Sequence, residues 1–151
     1  MAGFYHDASS HFSIAYAGGV ALDWKSEALA EGLACYRRGE FFEAHEHWEL
    51  VWLELEEPEK SFLQAVIQTT AAFHHFHAGN RVGASSLMRR AVRRMDLCPE
   101  EFAGLNVGRL RAELRPWLAA LEGGVLLPER IPGIELKTGT KGTREQGTRR
   151  K

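Results

Sequence analysis

The stretch Phe41-Phe42-Glu43-Ala44-His45-Glu46-His47-Trp48-Glu49-Leu50-Val51-Trp52 decides the fold class. On a wheel that turns about 100° per residue, Ala44, Trp48, Trp52 and Leu55 fall within about 60° of Phe41 and define one apolar face. No glycine or proline interrupts that face before Pro58. His45, at about 40°, lies inside it. Glu49 at about 80° and Glu46 at about 140° lie on its flank, and Glu43, His47 and Glu54, at about 200° to 240°, lie opposite. The pattern predicts an amphipathic helix with an inward trio, His45, Glu46 and Glu49, beside two tryptophans.

Working outward, the same period recurs on both sides. Asp23 is the expected N-cap of a first helix carrying Trp24, Ala28, Leu29, Leu33 and Tyr36, which stops at Gly39. The second helix is expected from about residue 40 or 41 to Glu56, ended by Pro58, and the third from about Glu59 to Ala78, ended by Gly79-Asn80. Asn80 caps a fourth with Ala84, Leu87, Met88, Ala91 and Met95 on its buried stripe. Pro99 is expected to open a short helical turn over Glu100 to Ala103, and Asn106 to cap a last helix built on Leu110, Leu114, Trp117, Leu118 and Leu121. Pro116 inside that helix is a kink or restart position. Short connections between long helices predict an all-α fold: a compact antiparallel helical bundle of about five helices built from helix hairpins, with flexible termini. Residues 125–136, interrupted by Pro128 and Pro132, are expected to cross the bundle in extended form.

The ends differ from this body. Residues 1–22 show neither helical nor strand period and read as a loosely ordered N-terminal arm; 23–136 form the bundle domain; 137–151 read as a disordered basic tail. The net charge of -1 conceals this division, since 137–151 hold six Lys or Arg against one Glu, leaving 13 basic and 19 acidic residues before them. At 151 residues with 44% hydrophobic character, the chain is long enough for one self-sufficient core. Cys35 and Cys98 form no CxxC pair, so neither a disulfide framework nor a cysteine zinc site is indicated, and a reducing cytoplasm is the expected location. No run approaches 18 consecutive apolar residues and no secretory leader pattern opens the chain, which argues against membrane insertion and export.

Chemistry could reside in two places. His45, Glu46 and Glu49 form HExxE, similar to the zinc-protease HExxH with a carboxylate as second ligand. In that reading His45 and Glu49 bind a divalent metal such as zinc, His75 completes the set, and Glu46 is the general base. In the alternative, His45 donates to its i+4 neighbour Glu49, and with Trp52 the pair forms a buried polar network that only fixes the fold. Helix three supplies the candidate counterpart, a narrow polar strip of Gln64, Gln68 and His75 on an otherwise apolar surface. On helix four, Arg89, Arg90, Arg93 and Arg94 share a basic face. It lacks interleaved aromatics, and the acidic body disfavours a general nucleic-acid surface.

Three segments, Gly39-Glu-Phe-Phe-Glu-Ala-His-Glu-His-Trp-Glu-Leu-Val-Trp52, Phe62-Leu-Gln-Ala-Val-Ile-Gln68 and Gly79-Asn-Arg-Val-Gly-Ala84, resemble in order and spacing domain of unknown function 309 (DUF309). The resemblance spans residues 30–122. It implies a compact helical bundle, places Glu43, His45, Glu46, Glu49, Trp52, Gln68, His75, Asn80, Gly83 and Ala84 at the family's characteristic positions, and carries no assigned activity. His47 departs from the pattern, which has an aliphatic residue there.

The favoured function is therefore a non-catalytic helical module with a buried His/Glu/Trp network, its partner unknown, with a protein or a second copy of the chain as the candidates. The second is a metal-dependent or acid/base hydrolase using His45, Glu46 and Glu49. A weaker third is nucleic-acid association through the arginine face and basic tail.

Overall fold

Helix formation begins at Ser26 rather than Asp23. The Asp23 carboxylate accepts from Lys25 N at 3.0 Å and its carbonyl accepts from Ser26 N and Oγ at 2.9 and 2.7 Å. That local turn engages Asp23 ahead of the helix, and α1 runs Glu27–Arg37. The computed structural model describes residues 22–124 and 126–137. The expected arm (1–22, except Leu22) and basic tail (137–151, except Lys137) lie outside them.

Helix α2, Phe41–Trp52, ends four residues short of the expected Glu56. Leu53 and Glu54 turn the chain, and the Trp52 indole donates to Lys60 O at 3.1 Å, tying the turn to the next helix. Residues ahead of Pro58 are steered out of helical conformation in any case.

Helix α3, Glu59–His77, is the central element, buried from Phe62 to Phe73 at nearly every position. Two threonines survive complete burial there because each hydroxyl donates within the helix, Thr69 to Ala65 O at 2.9 Å and Thr70 to Val66 O at 3.0 Å. Helix α4, Arg81–Met95, starts at Asn80, whose Oδ1 accepts from Gly83 N at 2.9 Å.

Where a helical turn was expected over 100–103, the chain makes a hairpin. Strands β1 (Glu101–Phe102) and β2 (Leu105–Asn106) pair antiparallel, Glu101 with Asn106 and Phe102 with Leu105. The cause lies in the connecting residues, since Ala103 and Gly104 both have positive φ, 53° and 78°, as a tight two-residue hairpin turn requires. Asn106 then caps α5, Val107–Gly123, by accepting from Arg109 N at 3.1 Å. The helix runs through Pro116 without restarting, and Ala112, whose carbonyl loses its donor there, is solvent-exposed.

The architecture is all-α, with hairpins α1/α2 and α3/α4 joined by packing of α2 on α3 and completed by α5 on α4. Residues 126–137 cross it as an extended strap. The Tyr36 hydroxyl donates to Pro132 O at 2.6 Å, Arg37 to Ile134 O at 3.0 Å and the Trp117 indole to Arg130 O at 2.9 Å, while Ile134 is buried. Aromatic side chains link the layers. Trp48 meets Trp24 edge-on at 5.9 Å, and Phe41 and Trp117 both contact Phe73, at 5.6 and 5.1 Å.

Candidate functional site

The buried residues of α2 are Phe41, Ala44 and Trp48. Their mean direction lies about 30° from Phe41, away from Glu49 and toward His47. That offset redistributes the histidines and glutamates. Glu46 and Glu49 are exposed, Glu49 at 52% of its side chain, whereas His47, expected to face solvent, is half-buried. The inward trio is thus reduced to His45. Its Nε2 stands 3.7 Å from Glu49 Oε2, a loose i,i+4 pair, and its Nδ1 is buried without a hydrogen-bond partner.

The tryptophans are occupied elsewhere. Trp48 is fully buried and its indole donates to Leu29 O at 3.2 Å, across to α1. Trp52 is half-buried, donates to Lys60 O, and carries the Lys60 ammonium 4.3 Å above its ring. Each indole N–H therefore serves a backbone carbonyl, and neither donates to the His45–Glu49 pair. That pair is half-exposed rather than part of a sealed network.

The strip on α3 is likewise divided. His75 Nδ1 lies 3.1 Å from Asn80 Nδ2, an arrangement in which the amide donates, so His75 braces the cap of α4. Gln68, two turns earlier, is buried beside Arg90, Arg93, Arg94 and Leu97. The α3 histidines that reach α2 are His74, whose ring lies 5.5 Å from Phe42, and His77, 5.3 Å from Phe41; Phe42 in turn stacks on His45 at 6.1 Å. Among the described residues no three His, Cys, Asp or Glu side chains gather into a group that could hold a metal. Among the described residues the set His45, Glu49 and His75 is not brought together, and Glu46 joins no such group.

Sequence reasoning passed over Gly32. A β-carbon built there would overlap the Trp48 indole nitrogen and lie 2.6 Å from its Cδ1. A glycine in mid-helix was the available signal. Both cysteines are unpaired and buried; burial raises the Cys35 thiol and pushes Cys98 up to about 12.

Fold and site together define a helical-bundle module whose α2 histidines and glutamates join no group of three possible metal ligands among the described residues, while its aromatic side chains lock adjacent helices. Residues 29–87 match the family described as Domain of unknown function (DUF309), and the chain resembles that family. Over 106 residues it is also 34% identical to an "Uncharacterized protein" of Aquifex aeolicus (strain VF5), an alignment that covers 70% of this chain and 32% of that one. The chain thus spans about a third of that relative's length. The family match begins in α1 and ends within α4, short of the 122 implied by the motif resemblance. No described helix is long and apolar enough to cross a membrane.

Proposed function

We propose that this chain is a non-catalytic helical module, with α2 as the element that fixes the first hairpin and presents a mixed apolar and acidic surface. The observation that carries the reading is the division of α2. Trp48 and Phe41 are inside with their contacts complete, while Phe42, Glu46, Glu49, Leu50 and Leu53 are exposed. A hydrolase would need His45, Glu46 and a further donor within reach of one reacting atom. Cytoplasmic placement accords with two buried, unpaired thiols.

Metal analysis of untagged protein tests this against the hydrolase alternative, with Glu49→Ala as control. The module reading expects less than stoichiometric metal in both proteins and nearly equal melting temperatures. One equivalent of metal in the parent that disappears in the variant would replace this reading with the metal-dependent one.

A further inference from the structure

Helices α3 and α4 enclose a cleft of about 380 Å³ lined by Gln68, Arg90, Arg93, Arg94 and Leu97. Three features of this wall call for a ligand. The first is charge. Arg89, on the same helix, pairs with Glu122 at 2.7 Å, but Arg90 and Arg93 are exposed and have no ion pair with any described residue, in a body where acidic residues outnumber basic ones. The second is Gln68, only 8% exposed, whose carbonyl Oε1 is buried without a hydrogen-bond partner. A buried acceptor left unmatched is costly, and here it belongs to a residue that lines an open cleft. The third is apolar surface, supplied by Leu97, which is 39% exposed, and by the arginine methylenes.

We propose that this cleft binds a small aromatic phosphate of nucleotide type. Arg90, Arg93 and Arg94, at i, i+3 and i+4, share the side of α4 that lines the cleft, and three guanidinium groups suit the several oxygens of a phosphate better than a single carboxylate. Guanidinium planes and Leu97 provide the flat surface on which a heteroaromatic ring stacks, and a turn of the Gln68 side chain, whose carbonyl is buried and unmatched at the cleft wall, lets it accept from an exocyclic amine or ring N–H. The cleft holds one such unit, and the acidic body gives a polymer little to follow beyond it. This proposal is independent of the α2 reading, since it uses none of the same residues.

Calorimetric titration of the full chain with AMP and GMP, and with adenosine and inorganic phosphate as half-ligands, is the test. One-to-one binding of a mononucleotide is expected, with each half-ligand about tenfold weaker or more. Arg90→Gln and Arg93→Gln should each weaken it by about tenfold without moving the melting temperature, because both side chains are exposed. Gln68→Leu should weaken the mononucleotide while leaving inorganic phosphate unchanged. Failure of both nucleotides to bind at about 1 mM, or binding indifferent to the arginine variants, overturns the proposal. So does a short single-stranded RNA that binds far more tightly than its monomer with a steep salt dependence, which would mark an extended polyanion surface instead.

Discussion

Trp48 lies flat against Gly32: the space a β-carbon would occupy on Gly32 is filled by the indole, with Cδ1 at 2.6 Å and Cε2 at 2.7 Å. The same indole donates to Leu29 O, so α1 and α2 are held by one contact and one hydrogen bond at a single crossing. On an exposed helix Gly→Ala gains about 1 kcal/mol. Here Gly32→Ala is expected to destabilise by about 1–3 kcal/mol, because the ring cannot retreat without opening the core. Urea denaturation measures this, and a more stable variant would show the crossing to be looser than described.

The two sides of α2 should respond very differently to truncation. Trp48→Ala empties a fully buried site and is expected to cost about 3–5 kcal/mol. Glu49→Ala removes a half-exposed carboxylate from a loose 3.7 Å pair and is expected to stay within about 0.5 kcal/mol of the parent. Comparable losses at the two positions would mean that the His45–Glu49 pair carries structural weight its geometry does not suggest.

Stability should fall on the alkaline side. Burial raises the Tyr36 phenol far above its ordinary value of 10.0, and the hydroxyl donates to Pro132 O at 2.6 Å. Burial likewise moves Cys98 from 9.0 to about 12. A group whose folded pKa is raised stabilises fully below its unfolded pKa and loses that contribution as pH climbs above it. The loss should therefore begin near pH 9 for Cys98 and near pH 10 for Tyr36. Tyr36→Phe should cost about 1 kcal/mol at neutral pH and flatten the decline above pH 10. An unchanged alkaline limb in Tyr36→Phe would exclude the phenol as its source.

Asn80 joins two helices through one amide, Oδ1 accepting from Gly83 N and Nδ2 lying beside His75 Nδ1. Asn80→Ala is expected to lose about 1 kcal/mol. Asn80→Ser retains a capping oxygen but no amide donor for His75, so thermal denaturation of both variants separates the two contributions. Equal stability of all three proteins would argue against the cap.

Much of this was legible in the residues themselves. Phe41, Ala44 and Trp48 repeat at helical spacing, Asn80 and Asn106 precede their helices as caps, and Gly39 and Gly79 follow theirs. The candidate site was less so. A wheel locates residues relative to each other, but the direction in which Glu49 points depends on where α1 and α3 lie, and a 30° offset was enough to expose it. Gln68 stood out as polar on an apolar helix, yet its arginine neighbours come from the register of α4 against α3, which no local pattern encodes. Strands of two residues at 101–106 are too short to show a period, and only Gly104 signalled the turn between them.

The Ala103–Gly104 turn, small as it is, receives both ends of the described chain. The Trp24 indole donates to Ala103 O at 2.9 Å and Lys137 N to Gly104 O at 2.7 Å, so Trp24 and Lys137, far apart in sequence, meet at one turn. A unit closed in this way can be spliced into the loop of a host protein without prising the host apart, or have its ends joined and be reopened elsewhere. Its topology is that of an insertable cassette.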